Sequence, residues 1–306
     1  MSQKVLLSAN EAVAWAACKA GCAVASAYPG TPSTEILENV AKFKDSINCE
    51  WAVNEKVAME VAIGASIAGA RALTAMKHVG LNVAMDPLMT YTYVGANGGL
   101  VVVAADDPGM HSSQNEQDSR NLVKFARAAL FEPADSQETF EMVIAAFELS
   151  EKYQVPAFVR LTTRTSHTST VVDVGDDFGP GQVERKPYAK DIRRYIPVPM
   201  FARPHRLKAQ ERTEALRAFA CQSPFNRMEA GDRRLGIITS GVTYQYVKEA
   251  FPEFSVLKLG FSNPFPSELV KTFAAGVDRL LVIEELDPFM EEQVRALGLK
   301  LSLIHI

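Results

Sequence analysis

Short apolar runs and amphipathic helical stretches alternate through the first half of the chain with little interruption, and this alternation constrains the fold most. Apolar runs at 22–27, 49–53, 72–76, 100–105, 130–131 and 157–161 are each separated from the next by a helical stretch. Continuously apolar strands divided by helices form a parallel sheet covered on both faces, an α/β fold. The clearest unit is Cys49 to Gly80, CEWAVNEKVAMEVAIGASIAGARALTAMKHVG. It reads as a buried strand over Cys49–Val53, an N-cap at Asn54 and a helix opening on Glu55. A second strand, Ala72–Met76, then runs into a polar loop, Lys77-His78. Asn is a favoured N-cap, and a first-turn carboxylate suits the positive end of the helix dipole. The helix carries Ala58, Ala62, Gly64, Ala65, Ala68, Gly69 and Ala70. Glycine in a helix costs roughly 1 kcal/mol against alanine, so two of them predict a close backbone neighbour.

Elsewhere the local signals are caps and breakers. Ser8-Ala9-Asn10-Glu11 fits a capping box that opens an amphipathic helix. In YPGTPSTE, Thr31 reads as an N-cap and Pro32 as the first helical residue. Further helices are expected over 82–93, 116–129 and 136–152, with Asp106-Asp107-Pro108-Gly109 as a loop. From Val171 to about Arg234 the texture becomes turn-rich, with PVPMFARP extended because proline disfavours helix before it. A mixed-charge helix over 207–219 reads as a solvated bridge. A second alternation follows, with strands at 236–239, 256–259 and 279–283 and helices at 242–250, 268–274 and 288–297. The expected organisation is a sheet domain over 1–175, a linker with a charged helix over 176–234, and a smaller α/β domain over 235–306. The last stretch, 299–306, is apolar, so the chain reads as cut short or as ending in foreign residues; His305 carries no weight.

Composition narrows the classes. The 306 residues are 47% hydrophobic and 22% charged, values ordinary for a globular protein of about two domains. A net charge of -4 gives no electrostatic case for nucleic acid or an anionic membrane. There is no apolar run of about 18 residues, and Glu11 interrupts the apolar start, so cytoplasm is the expected compartment. The four cysteines, at 18, 22, 49 and 221, read as free thiols, since no spacing completes a zinc or cluster site. Phosphate-loop, dinucleotide, nucleophile-elbow and zinc-protease motifs are absent, and no metal site is expected on these residues.

Ligands collect outside the carboxyl ends of parallel strands. Those ends are 28–31, 54–55, 77–78, 106–107 and 162–165, and they hold most of the domain's titratable candidates. By local pattern Glu55 reads first as a solvated acid that complements its helix dipole. The alternative is a carboxylate pressed into an interface to share a proton with a ring nitrogen, the group a thiamine diphosphate enzyme requires.

Longer motifs point further. Tyr28 to Ile36, YPGTPSTEI, and Asn54 to Asp86, NEKVAMEVAIGASIAGARALTAMKHVGLNVAMD, come first. Asp106 to Arg120, DDPGMHSSQNEQDSR, then Arg164 to His167, RTSH, and Ser223 to Asn226, SPFN, follow in order. Together they resemble the alpha subunits of indolepyruvate:ferredoxin oxidoreductases, within the thiamine-dependent 2-oxoacid:ferredoxin oxidoreductase family. The resemblance implies that residues 1–175 hold the aminopyrimidine half of thiamine diphosphate. It implies an incomplete domain over 235–306 like the transketolase C-terminal domain, serving dimerisation. Glu55 would be the catalytic glutamate that activates the cofactor, with Tyr28, Pro29, Gly30 and Asn82 bordering it and Thr31 at the substrate carboxylate. Lys77 and His78 are read as substrate-binding, since a cation near a 2-oxoacid carboxylate and a developing oxyanion is physically sensible. Arg164 and His167 resemble the segment that closes this domain, with substrate contact and a structural role both open.

The family's Mg²⁺- and diphosphate-binding domain and its module of two [4Fe–4S] clusters have no counterpart before residue 306. The resemblance therefore implies the N-terminal portion of an alpha subunit, inactive alone, that pairs with a beta subunit in a dimer of alpha-beta pairs. The whole reaction would convert an aryl 2-oxoacid, coenzyme A and oxidised ferredoxin to arylacetyl-CoA, CO₂ and reduced ferredoxin. Two alternatives stay open. A non-oxidative 2-oxoacid decarboxylase would need neither coenzyme A nor ferredoxin, and a non-catalytic α/β module would scaffold a multisubunit oxidoreductase.

Overall fold

A computed structural model describes residues 3–302; His305, and the apolar end from residue 303, lie outside the described residues. The chain runs β1 (Gln3–Ser8), α1 (Ala9–Lys19), β2 (Val24–Ala27), α2 (Thr34–Val40), β3 (Asn48–Trp51), α3 (Glu55–Ile67) and β4 (Ala72–Lys77). It continues α4 (His78–Val94), β5 (Leu100–Asp106), α5 (Ser119–Ala126), β6 (Ala129–Phe131), α6 (Ser136–Tyr153), β7 (Ala157–Thr162), α7 (Thr163–His167) and β8 (Ser169–Gly175). Then come α8 (Ile192–Tyr195), α9 (Pro199–Gln222), β9 (Asn226–Glu229), β10 (Asp232–Thr239), α10 (Thr243–Ala250) and β11 (Phe254–Leu259). The described part ends with β12 (Phe261–Asn263), α11 (Ser267–Ala275), β13 (Leu280–Ile283) and α12 (Phe289–Ala296).

The large sheet has strand order β12-β6-β7-β5-β4-β2-β3. Strands β6 to β3 in that order are all parallel, and β12 pairs antiparallel onto β6. Every residue of β4, β5 and β7 is buried, as the continuous apolar runs require. Alternation along β5 divides the core: Val101, Val103 and Ala105 face α1, α2 and α6, while Leu100, Val102 and Ala104 face α3, α4 and α5. A second sheet, β13-β10-β11-β9, has its own core, and β12 carries the chain from it back to the large sheet.

Several local expectations are corrected. The strand at Cys49–Val53 is not buried: β3 is the last strand of the sheet, with Trp51 44% and Val53 79% exposed. Lys77-His78 is not a loop, because Lys77 ends β4 and His78 opens α4 directly. Thr31 does not cap a helix. Ser33 donates from both N–H and Oγ to Gly30 O (2.8 Å each), and Gly30 N–H donates to Thr34 Oγ1 (2.9 Å). Those hydroxyls close a turn, so α2 starts at Thr34. PVPMFARP is helical from Pro199, since proline at the first helical position gives up no hydrogen bond. Val171–Gly175, read as the start of the linker region, is in β8 and pairs with β1, a strand the reading did not anticipate.

The close neighbour predicted for the small-residue helix appears at one glycine only. Gly69, just past α3 at φ +86°, lies against the Lys186 backbone, which donates its N–H to Gly69 O (3.1 Å). Gly64 is exposed and faces no part of the described chain.

Candidate active site

The carboxyl edge near β2, β3 and β4 gathers most of the residues singled out in the sequence. Asn54 Oδ1 accepts from Val57 N–H (2.9 Å), so the cap is as read and the first turn of α3 is fixed. Glu55, the first residue of α3, is half-buried, and its carboxylate has no hydrogen-bond or ion-pair partner among the described residues. It lies against the first turn of α4. A Cβ on Gly80 would fall 2.5 Å from Glu55 Oε1 and 2.8 Å from its carboxyl carbon. The absent side chain at 80 is therefore what admits the carboxylate. Gly30, across the edge, packs on the Lys77 side chain, while Tyr28, Pro29 and Thr31 stand exposed at the rim.

One loop, residues 107–118, covers this edge, and three of the candidates hold it. Lys77 Nζ donates to Ser112 O (2.5 Å), and buried His78 donates from Nε2 to Asn115 O (3.3 Å). Asn82 Nδ2 donates to Gln117 Oε1 (2.9 Å). His78 Nδ1 is buried and has no hydrogen-bond partner among the described residues. Asp107 anchors the start of the loop, accepting from Ser112 N–H (2.8 Å), Ser113 Oγ (2.5 Å) and Thr163 Oγ1 (2.7 Å). Burial alone would raise the Asp107 carboxyl, but those hydrogen bonds and the Lys77 charge hold it down at about 2.

Behind the loop sits a buried charge cluster that the sequence reading missed. Arg120 binds Asp118 through Nε (2.9 Å) and Nη2 (2.6 Å), and reaches Glu284 Oε2 (2.7 Å) and the carbonyls of Glu285 and Asp287. Arg160 Nε donates to Asp106 Oδ2 (2.6 Å), and its Nη1 lies 3.6 Å from Glu132 Oε2. Glu132 accepts in turn from Ser240 and Ser262 (3.2 Å each). Burial pushes the Asp106 carboxyl up, against the pull of Arg160, and burial also raises Glu284 and Glu285. The available signal was Arg160 inside the apolar run AFVRLT and Glu132 directly after Leu130-Phe131. An ionised residue in a buried strand requires a partner.

Arg164 and His167 make no hydrogen bond or ion pair with Glu55, Lys77 or His78 among the described residues. They lie on α7, where Arg164 stacks over the Tyr246 ring (5.8 Å) and lines a cavity of about 330 Å³ between α7 and α10; His167 is exposed. Among the described residues no group of three or more His, Cys, Asp or Glu could hold a metal ion, and no helix is long and apolar enough to cross a membrane.

Residues 15–219 match the family described as "Pyruvate flavodoxin/ferredoxin oxidoreductase, thiamine diP-bdg". Indolepyruvate oxidoreductase subunit IorA of Methanothermobacter thermautotrophicus is 46% identical over 308 residues, covering 96% of this chain and 49% of that protein. The chain thus spans about half the length of the curated relatives it matches. The 2-oxoglutarate:ferredoxin oxidoreductase of Magnetococcus marinus superposes at TM-score 0.79 and 19% identity, over 96% of this chain and 60% of that one. A split-gene transketolase superposes at TM-score 0.58 and 16% identity, over 91% of this chain and 78% of that one. At such identities these two structures attest the shared fold.

Proposed function

The chain belongs to the thiamine diphosphate-binding pyruvate flavodoxin/ferredoxin oxidoreductase family, and on that premise we propose that it forms part of an alpha subunit oxidising an aryl 2-oxoacid such as indolepyruvate. The reading rests on Glu55, a half-buried carboxylate without a partner at a strand's carboxyl end. A carboxylate held this way has free acceptor capacity, the property needed to share a proton with a ring nitrogen of the aminopyrimidine.

Thiamine diphosphate, when bound, supplies the carbon nucleophile on which a 2-oxoacid loses CO₂. The chain's own residues fix and polarise that site. Asn54 holds the first turn of α3, Gly80 leaves room for Glu55, and Glu55 holds the shared proton at its carboxylate oxygen. Tyr28, Pro29 and Gly30 form the rim beside the cofactor, and Thr31 offers a hydroxyl to the substrate carboxylate. Lys77 contributes a positive potential from beneath the loop, while His78 and Asn82 hold that loop in place. Arg164 is assigned to the seam with α10, outside this cluster.

Residues 1–175 are assigned to the pyrimidine side, 176–234 to a linker, and 235–306 to the architectural domain. The diphosphate with its Mg²⁺, and two [4Fe–4S] clusters, are assigned to the half of the relatives' length that this chain does not span. Coenzyme A accepts the acyl group, two electrons pass to oxidised ferredoxin, and a beta subunit completes the assembly.

The test is Glu55→Gln in the assembled enzyme. Loss of a positioned acid–base group costs roughly 10²–10⁴-fold in rate, so 2-oxoacid-dependent ferredoxin reduction should fall by at least about a hundredfold with folding intact. Turnover within a few-fold of the parent would refute the assignment.

A further inference from the structure

The edge of the large sheet opposite Glu55 holds a cavity of about 850 Å³. Helices α4 and α6 begin at the carboxyl edge and run back, so their last residues, Val94 and Tyr153, line it together with α8 and α9. Five cations face it, Lys152, Arg193, Arg194, Lys208 and Arg212, against two acids, Asp191 and Glu211. No carboxylate pairs with any of the five among the described residues. Between positions 185 and 217 there are ten Lys and Arg against three Asp and Glu, in a chain whose net charge is -4.

Part of this charge is answered by helix ends. Arg194 donates to the carbonyls of Gly95 (3.1 Å) and Ala96 (3.0 Å), and Arg212 to those of Gln154 (2.6 Å) and Tyr93 (2.9 Å). A helix C-terminus is worth only about half a negative charge, so α4 and α6 leave the cavity positive. Arg212 registers the excess: burial and then the Arg194 charge push its pKa down. Among the described residues the exposed side chains of Arg193 and Lys208 make no hydrogen bond or ion pair, and Lys152 meets the Tyr153 ring (5.3 Å). Buried His205 donates from Nε2 to Arg193 O (2.8 Å), which ties α8 to α9 and fixes where these cations stand.

The cations come from three elements, a spread that suits a ligand with several anionic groups, such as a chain of phosphates. Phe201 and Tyr153 line the same cavity, so it has aromatic as well as cationic walls, and a base can stack on an aromatic ring. The volume falls within the roughly 300–1,000 Å³ typical of small-molecule sites. We propose that this cavity binds a nucleoside polyphosphate, with its phosphates on Arg193, Lys208 and Lys152 and its base against Phe201 or Tyr153. The cavity is across the sheet from Glu55, so a ligand there would not touch the residues of the proposed thiamine site.

Isothermal titration of the 306-residue chain with ATP tests this, with tripolyphosphate for comparison, at about 50 and about 200 mM salt. One saturable ATP site is expected, tighter than for tripolyphosphate and weaker at the higher salt. The double variant Arg193→Ala/Lys208→Ala should melt as the parent does, because neither side chain holds the fold, yet bind ATP at least roughly tenfold more weakly. Glu55→Gln should leave ATP binding unchanged, which separates this site from the proposed thiamine site. Absence of saturable ATP binding at the lower salt, or binding undiminished in the double variant, would overturn the assignment.

Discussion

At the residue scale, Glu55 and Gly80 are one feature read from two positions. Gly80 sits in the first turn of α4, where alanine would favour helix by roughly 1 kcal/mol. Its Cβ would nevertheless fall 2.5 Å from Glu55 Oε1 and force the carboxylate to move. Gly80→Ala is therefore expected to hold or raise the melting temperature while lowering 2-oxoacid-dependent turnover in the assembled enzyme. A parallel fall in both would instead mark Gly80 as a folding residue. Asp107 gives a pH signature. Its carboxyl is held at about 2 in the folded chain, below the ordinary aspartate value, so its stabilisation is present above about pH 4 and is lost as pH falls through about 2. Urea midpoints at about pH 5 and pH 3 should differ less for Asp107→Asn than for the parent, with the variant less stable at the higher pH.

At the element scale, local chemistry was readable where the partners are neighbours in sequence. The capping box was legible because all its atoms lie within four residues: Glu11 N–H donates to Ser8 Oγ (3.2 Å), and Ser8 N–H donates back to Glu11 Oε2 (2.9 Å). Ser8→Ala should cost about 1 kcal/mol in chemical denaturation. The Asn54 cap was legible for the same reason. Thr31-Pro32 and Pro199 show where this kind of reading stops. Hydroxyls that suit an N-cap also suit a turn, and Gly30 decided between them by bonding both Ser33 and Thr34. A proline that breaks one helix begins another, and only the packing of α9 against α4 and α6 selects the second outcome.

At the scale of the whole molecule, the buried charges join the two sheets. Arg120 draws Asp118, from the loop over Lys77 and His78, together with Glu284, which also caps α12 by accepting from Met290 and Glu291 N–H. Removing the guanidinium leaves Glu284 buried without its cation and Asp118 with only Arg160, 3.9 Å away. Arg120→Ala should thus cost about 3–5 kcal/mol in denaturant unfolding. A loss below about 1 kcal/mol would mean that the cluster is hydrated and not a clasp. Asp118 and Arg120 were visible as part of a motif, but their partners lie more than 160 residues further along the chain.

The sequence by itself determined the alternation of β2 through β7 with their helices, the parallel sheet those strands build, and hence the edge where Glu55, Lys77 and His78 would lie. Apolar period and run length are local quantities, and a strand's carboxyl end follows from chain direction alone. Only the tertiary structure decided that β3 is the open edge, that β1 finds β8, and that Lys77 and His78 lie under a loop. Period tells which face a residue presents. Which neighbour meets that face is settled by contacts between distant segments, whose energy depends on burial and charge pairing that no local window contains.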